Sequence, residues 1–382
     1  MAQRLKTDWT LFFTVVLMVC FGLVMIYSAS SIMAQMSKKF HHNPYYFLIR
    51  QMAWAVLGFL VLMYFKRTHY RQLATPGWAF APLGFVLVLL AVAYLRDAHA
   101  HRWLKIGGLG IQPAEFAKPA LAIFLAWFVT RRAHAINTRH TILPATLALA
   151  VLGGSVIVAD LGTAAILLLS AGAVFCVAGL ERRYFLAAVL AFLVVVTAAV
   201  VTKPYRILRI LGFIDPHNEI LSQIDPQGRL RQAAEKSAAS RDVGYQVRQS
   251  KIAIGTGGVL GLGLMNGKQK LLFLPEAHND FIFAVICEEL GLVGGAVVIA
   301  GFLLILWRGF RLYWAVADDF GRYLAVAITT IVVSQAFVHM SVVVDILPNK
   351  GIPLPMVSYG GSSLLSTLAC LGMLMSVSDH AS

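Results

Sequence analysis

The sequence predicts an all-α polytopic membrane protein with ten transmembrane helices and one large extracytoplasmic loop between spans seven and eight. Of its 382 residues, 59% are hydrophobic and only 13% are charged, whereas an ordinary soluble domain has about 25% charged residues. The mean hydropathy is +0.74. Several uncharged runs also exceed the roughly 18 residues that cross about 30 Å of hydrocarbon. These observations exclude a soluble globular enzyme, a disordered protein and a disulfide scaffold.

The predicted spans are apolar runs separated by short polar turns, with one long polar segment after the seventh. The fourth span begins behind Pro113, which suits a first helical turn. Only Ala159, Asp160 and Leu161 separate the fifth span from the sixth. In order, the spans cover residues 9–33, 46–65, 77–95, 114–130, 142–159, 162–180, 184–202, 280–306, 324–346 and 358–378.

The basic residues orient this predicted bundle. Ten is an even number, so both termini lie on one side of the membrane, and short cytoplasmic loops carry an excess of Lys and Arg. With the termini inside, thirteen basic residues are internal and seven lie in short outer segments, which predicts cytoplasmic termini. The thirteen are Arg4, Lys6, Lys66, Arg67, Arg71, Arg131, Arg132, Arg139, Arg182, Arg183, Arg308, Arg311 and Arg322, and the seven are Lys38, Lys39, Arg50, Arg96, Arg102, Lys105 and Lys350.

The polar segment over residues 203–279 carries eleven further basic residues. Long loops are translocated largely regardless of their charge, so this segment is predicted to be extracytoplasmic. Loops of this length within a compact protein are usually functional or disordered, and the polar part over 218–242 is predicted to be mobile. We predict one membrane domain over 1–382 that includes this loop and functions on the outer side.

The net charge of +14 predicts contact with membrane lipid and not with nucleic acid. In a membrane protein, Lys and Arg hold loops in the cytoplasm and face anionic head groups. The four cysteines lie within apolar runs and predict neither a disulfide nor a metal site; they are Cys20, Cys176, Cys287 and Cys370.

Ionisable residues at the membrane are costly, and they pair, face a cavity or do chemistry. Glu115 and Lys118 are three residues apart at the start of span four, so they share one helix face. They predict either a structural ion pair or a functional polar site. Asp160 precedes span six, where it either caps the helix or contributes to function.

The strongest cluster lies where the polar loop meets span eight, at Glu276, His278 and Asp280. A partly desolvated carboxylate there has a raised pKa and is a better general base, although a helix cap is the alternative. His278 and Asp280 are too few ligands to predict a metal site. Three lysines are candidates for holding an anionic leaving group such as a diphosphate: Lys268, Lys270 and Lys350.

Two further features predict a structural role. Glu288 and Glu289 are adjacent, so they point about 100° apart on one helix and at most one faces the side of Asp280. The glycine-rich segment 255–263 lacks the Lys-Ser/Thr pair of a phosphate-binding loop. It predicts a close-packed turn, which is tolerated at a membrane only where protein or water covers the backbone.

Taken in order, these motifs closely resemble one family, the SEDS proteins of shape, elongation, division and sporulation. The resemblance covers nearly the whole chain. The order of the motifs, the ten spans and the single large outer loop are together specific to this family. The motifs include Gln112-Pro113, Glu115-Phe116-Ala117-Lys118, Asp160-Leu161-Gly162-Thr163, Gly244-Tyr245-Gln246, Leu274-Pro275-Glu276-Ala277-His278, Asp280-Phe281-Ile282-Phe283-Ala284, Glu288-Glu289-Leu290-Gly291 and Ser358-Tyr359-Gly360-Gly361-Ser362-Ser363.

The resemblance implies a peptidoglycan glycosyltransferase of the cytoplasmic (inner) membrane that polymerises lipid II on the outer face. It implies a class B penicillin-binding protein and other divisome proteins as partners. The family's catalytic acid maps onto Asp280. Undecaprenyl diphosphate would be the leaving group, with charge stabilisation by cations or by a divalent metal such as Mg²⁺ or Mn²⁺.

The resemblance also assigns supporting residues. Glu276 and Lys350 match positions implicated in function, and Glu115, Lys118 and Asp160 match residues that line or support the family cavity. Segments 268–270 and 349–351 favour the division branch over the elongation branch. Four residues depart from the usual family pattern, none of them removing a charge: Ala114, Ala159, Asn279 and Asn349.

Two other functions stay open at this level. A lipid II flippase would also have many spans and buried charges, but its polar residues would follow a route across the membrane. A non-catalytic divisome scaffold would only recruit the transpeptidase, and it leaves the cluster of carboxylates and lysines at the membrane boundary unexplained.

Overall fold

The computed structural model describes residues 8–97, 102–106, 109–201, 204–214, 243–271 and 273–380. Within these residues the chain forms twelve α-helices and one β-hairpin, whose strands β1 (Leu104–Ile106) and β2 (Leu109–Ile111) pair antiparallel with Leu104 opposite Ile111. The helices are α1 (Trp9–Met36), α2 (Tyr46–Arg67), α3 (Pro76–Arg96), α4 (Pro113–Arg132), α5 (Arg139–Ala159), α6 (Leu161–Val177), α7 (Arg182–Val201), α8 (Pro204–Ile214), α9 (Val243–Gly257), α10 (Ile282–Ala315), α11 (Asp319–Val343) and α12 (Gly361–His380).

Each of the ten predicted spans coincides with a helix, and the polytopic α-helical class is confirmed. In the described part of the chain, eight helices are long and apolar enough to cross a membrane. Of the ten helices that coincide with predicted spans, two fall outside this set. They are α4, which carries Glu115 and Lys118, and α6, which has 17 residues. The count of ten spans therefore stays a prediction.

The predicted outer loop contains two helices that the sequence analysis did not identify, α8 and α9. Helix α8 is strongly amphipathic, with Arg206 and Arg209 among apolar residues, as in helices that lie along a membrane surface. The predicted mobile piece over 218–242 lies outside the described residues.

Helix α10 begins at Ile282, two residues after the predicted start, and bends at Gly291. The bend is made by the left-handed backbone of Gly291, whose φ is 66°. The end of α9 and the segment after it pack onto α10 so tightly that a side-chain carbon at Gly257 or Gly261 would overlap backbone atoms of α10. The predicted close-packed glycine-rich turn is present over 258–263, whereas 255–257 are the last residues of α9.

The helices are arranged so that their ends form two separate polar regions. At one end, the Phe47 ring near the start of α2 contacts Tyr359 just before α12, with 5.0 Å between the ring centroids. At the other end, Lys66 near the end of α2 pairs with Asp379 near the end of α12 at 3.1 Å. Asp280, just before α10, belongs to the first end. Both described chain ends lie at the second, since Asp8 pairs with Arg308 near the end of α10.

Candidate active site at the outer end of the helix bundle

A cleft of about 560 Å³ opens at the end where α2, α10 and α12 begin. Its wall combines aromatic rings with both signs of charge. The basic, acidic and histidine side chains in the described lining are Lys39, Arg50, Arg102, Glu276, His278 and Asp280. The predicted cluster over 274–280 therefore faces a cavity large enough for a polar ligand.

The backbone before α10 fixes the position of Asp280. Glu276 has a left-handed φ of 55°, and its carbonyl accepts the N–H groups of Asn279 at 3.0 Å and Asp280 at 3.1 Å. The Ser358 hydroxyl donates to the Asn279 carbonyl at 2.7 Å, and the Tyr359 N–H donates to the His278 carbonyl at 3.0 Å. The 276–280 turn is thereby attached to the segment that precedes α12.

Glu276 and Asp280 are the acids among the described residues that line the cleft, and neither has an ion-pair partner there. Among the described residues, no ion pair or hydrogen bond reaches the Asp280 carboxylate oxygens. Burial raises the pKa of Asp280 to about 6, with Glu276 and Asp160 adding to the rise and Arg102 opposing it. Burial lowers the pKa of the neighbouring His278 to about 4, so this imidazole is neutral near pH 7.

Asp160, unlike Asp280, forms direct ion pairs with two cations. Its carboxylate caps α6 by accepting the Gly162 N–H at 3.0 Å, so the predicted cap is present. It also pairs with Arg102 at 3.1 Å and Lys350 at 3.0 Å. Burial raises its pKa, but the two cations outweigh burial and hold the pKa of Asp160 well below its usual range. Asp160 therefore stays ionised at physiological pH.

Lys350 connects the two acids. Its ammonium contacts Asp160, while the next residue, Gly351, lies against the Asp280 carboxylate. The segment that carries Lys350 is held to α9 by two contacts: Asn349 Nδ2 to Gln246 Oε1 at 3.2 Å, and Lys251 Nζ to Asp345 Oδ2 at 2.7 Å. Residues far apart in sequence thus meet at one end of the bundle.

Glu115 and Lys118 form the predicted ion pair, at 2.6 Å and with both side chains 2% exposed. Lys118 also donates to Gln335 Oε1 of α11 at 2.6 Å. Gln335 in turn donates to the Pro353 carbonyl at 2.8 Å, and Pro353 lines the cleft. The pair therefore supports the cleft through Gln335, from inside the helix bundle.

The other predicted lysines lie elsewhere. Lys270 is buried, and its ammonium contacts Glu289 at 2.6 Å and Ser28 at 2.9 Å. Lys268 is exposed, and none of the three predicted lysines, Lys350 included, is among the residues that line the cleft. Their role in substrate binding stays a prediction.

Glu288 and Glu289 act structurally, as interpreted from the sequence. Glu288 accepts the Lys268 N–H at 2.7 Å, and Glu289 accepts the Met265 N–H at 3.0 Å. Both carboxylates hold the 262–271 segment against α10.

The sequence analysis missed three cationic residues that the fold brings to the cleft, namely Lys39, Arg50 and Arg102. They were counted only as outer-loop charges, and a basic residue beside aromatic residues in a short outer segment is the signal that could have identified them. In the described part of the chain, no three His, Cys, Asp or Glu side chains are grouped in a way that could hold a metal ion.

Comparisons with known proteins agree with the motifs. The FtsW, RodA and SpoVE family model, described as "Cell cycle protein", matches residues 8–382. A relative from Geobacter metallireducens, named "Probable peptidoglycan glycosyltransferase FtsW", is 39% identical, with 98% of this chain and 95% of the relative covered. "Stage V sporulation protein E" of Bacillus subtilis is 32% identical, with 99% of each chain covered.

Two solved structures share the fold. A chain described under "Structural coordination of polymerization and crosslinking by a peptidoglycan synthase complex" superposes with a TM-score of 0.74 at 28% identity, covering 98% of each chain. The rod shape determining protein RodA of Thermus thermophilus has a TM-score of 0.66 at 26% identity, covering 99% of this chain and 98% of RodA. With the family match over residues 8–382, the resemblance is confirmed: the chain belongs to the FtsW, RodA and SpoVE family, the SEDS proteins.

Proposed function

We propose that this chain is a peptidoglycan glycosyltransferase that polymerises lipid II into β-1,4-linked glycan strands for septal wall synthesis. The names of its relatives support the activity, and those named FtsW favour the division role. The observation that carries the proposal is the carboxylate of Asp280, which faces a polar cleft at one end of an apolar helix bundle and, among the described residues, makes no direct ion pair or hydrogen bond through its oxygens.

In the proposed reaction Asp280 acts as the general base. The 4-hydroxyl of the acceptor sugar gives its proton to the carboxylate while its oxygen attacks the anomeric carbon of the donor. The bond from that carbon to undecaprenyl diphosphate breaks, and the diphosphate leaves with the electron pair. Attack from the face opposite the leaving group inverts an α-linked donor to a β-linked product.

The two aspartates suit different roles because their surroundings move their pKa values apart. A base is most useful when its pKa lies near the working pH, and burial brings the pKa of Asp280 to about 6. Asp160 is held ionised by Arg102 and Lys350, so it is a poor proton acceptor. We assign it to orienting those two cations beside the reacting groups.

The remaining predicted residues have supporting roles in this proposal. Glu276 contacts substrate in the cleft, and Lys350 contacts substrate beside Asp160. Glu115 and Lys118 support the cleft through Gln335. Lys268 and Lys270 act indirectly, by fixing the position of the 262–271 segment, since Lys270 is buried against Glu289.

A divalent cation would be held by Glu276 together with the substrate's own diphosphate, which leaves Asp280 to take the proton. Glu276 lines the cleft, and carboxylate and phosphate oxygens are the ligands that Mg²⁺ and Mn²⁺ prefer. When bound, such an ion would neutralise charge on the leaving diphosphate. Activity measured with and without EDTA tests this requirement.

We further propose that the cleft faces the outside of the cytoplasmic membrane, with both termini in the cytoplasm. The cleft and the described chain ends lie at opposite ends of the bundle, and the excess of basic residues in the predicted inner loops favours this orientation. A class B penicillin-binding protein is the proposed partner, supported by the structural neighbour from a peptidoglycan synthase complex.

The test uses the purified full chain with its transpeptidase and lipid II in detergent, where no membrane separates two sides. The wild type is expected to form glycan strands, and Asp280→Ala and Asp280→Asn are expected to form none. Glu181→Gln is the matched control, because Glu181 is exposed and pairs with Arg183, and neither residue is among those that line the cleft.

Three results would contradict the proposal. An inactive wild type that moves lipid II across liposome membranes would indicate a flippase. A folded Asp280→Asn variant that still polymerises would exclude the proposed base. An inactive wild type whose Asp280→Asn variant supports division would indicate a scaffold.

A further inference from the structure

One wall of the cleft carries cationic side chains that have no role in the reaction proposed above. Lys39 lies on the short 3-10 helix Lys38–Phe40, and Arg50 lies at the start of α2. Both line the same cleft as Asp280, which belongs to the turn before α10. We call Lys39 and Arg50 the α1–α2 cations.

The α1–α2 cations have no acid partner among the described residues, whereas Arg102, Lys350 and Lys270 each have one. Arg102 and Lys350 share the Asp160 carboxylate, and Lys270 pairs with Glu289. For Lys39 and Arg50, no carboxylate of the described residues comes within 4 Å. Lys39 is exposed and Arg50 is half-buried, and a cation that lines a cleft without an acid partner is suited to bind an anionic ligand.

Aromatic rings hold the α1–α2 cations in place without neutralising them. The Arg50 guanidinium lies 4.4 Å from the centroid of the Tyr46 ring, and the Lys39 ammonium lies 5.6 Å from that of Phe40. The Phe40 and Tyr46 rings contact each other, with 4.9 Å between centroids. Cation–π contacts of this kind orient a guanidinium. Arg50 hydrogen-bonds the Tyr359 side chain, and the guanidinium has five N–H donors in all.

We propose that Lys39 and Arg50 bind the diphosphate of the lipid-linked donor sugar. This inference rests on the proposed function and deepens it, because it divides the cleft into two parts. The donor lies along the α1–α2 cations, with its sugar against the neighbouring aromatic rings. The acceptor hydroxyl lies on the opposite wall, at Asp280.

The direct test measures binding of farnesyl diphosphate to the purified full chain in detergent, with uncharged farnesol as the comparison ligand. Lys39→Gln and Arg50→Gln should each weaken the diphosphate by about tenfold to a hundredfold, the range for a charge-assisted hydrogen bond, and should leave farnesol unchanged. Arg50→Lys should recover part of the loss. Lys38→Gln is the matched control, since Lys38 neighbours Lys39 and is exposed like it but does not line the cleft.

Two outcomes would overturn the inference: unchanged diphosphate binding in the Lys39→Gln/Arg50→Gln double variant, or equal loss of diphosphate and farnesol. Polymerisation separates this failure from failure of the proposed function. If the wild type polymerises, Asp280→Asn does not, and the double variant keeps the wild-type KM for lipid II, the function stands and the diphosphate site is wrong. If binding depends on the two cations but the wild type forms no strands, the anion site stands and the function is wrong.

Discussion

Gly351 lies so close to the carboxylate of Asp280 that a side-chain carbon at position 351 would overlap Oδ2. The preceding residue, Lys350, pairs with Asp160 at 3.0 Å. The extended segment before α12 therefore positions both acids of the site, and its glycine is required by the close approach and not by an unusual backbone angle.

Gly351→Ala is expected to reduce polymerisation by about a hundredfold, because a displacement of about 1 Å at a reacting group costs that much. Initial rates with lipid II check this. The variant should keep the melting temperature of the wild type to within a few degrees, since the change is confined to the cleft. Gly84→Ala is the control, because a side-chain carbon at that position meets no atom within 4 Å.

The pH profile should report the Asp280 carboxylate. Its base form is present above its pKa of about 6, so the rate should fall about tenfold per pH unit below pH 6 and level off above pH 7. Asp160 adds no step, since Arg102 and Lys350 keep it ionised throughout. Initial rates between about pH 5 and 8 measure the profile, and a flat profile would argue against Asp280 as the base.

The buried Glu115–Lys118 pair should be sensitive to the loss of either partner. Glu115→Gln leaves the Lys118 ammonium buried without its carboxylate, which costs about 3–5 kcal/mol in comparable buried pairs. The double variant Glu115→Gln/Lys118→Met removes both charges and should regain much of the lost stability. Thermal unfolding in detergent measures both, and equal melting temperatures for wild type and Glu115→Gln would contradict the prediction.

Two glycines that follow α9 separate backbone strain from steric overlap. Gly258 and Gly261 both have a positive φ, of 57° and 79°. A side-chain carbon at Gly258 meets no atom, whereas one at Gly261 overlaps the Glu289 carbonyl. Gly258→Ala should therefore cost only the roughly 1–2 kcal/mol of left-handed strain, and Gly261→Ala should lower the melting temperature clearly further.

The positions of the helices were predictable because hydrocarbon leaves few alternatives for the backbone. In lipid each N–H and C=O needs a partner within the chain, so apolar runs of sufficient length form helices. The Glu115–Lys118 contact was predictable for a local reason, the three-residue spacing on one helix. Helix α8 was predictable in principle, since apolar residues recur with helical spacing around Arg206 and Arg209.

The partners of Asp160 and Glu289 could not be predicted, since they depend on distances between remote segments. Arg102 and Lys350 are 58 residues before and 190 residues after Asp160, and no local pattern relates them. The same holds for Lys270 and Ser28 around Glu289. Helix periodicity also does not show which outer charges face a cleft, so Lys39 and Arg50 were counted only for topology.

The contact between Lys118 and Gln335 has a consequence for how the chain is made. As the predicted fourth span, α4 would enter the bilayer with an acid and a base in its first two turns, and a charged side chain costs up to about 2.5–3.5 kcal/mol in a lone inserted helix. Gln335, which accepts a hydrogen bond from Lys118, is 217 residues further along the chain. We therefore expect α4 to be poorly matched to lipid until α11 emerges from the ribosome, so that its stable integration depends on the last third of the protein.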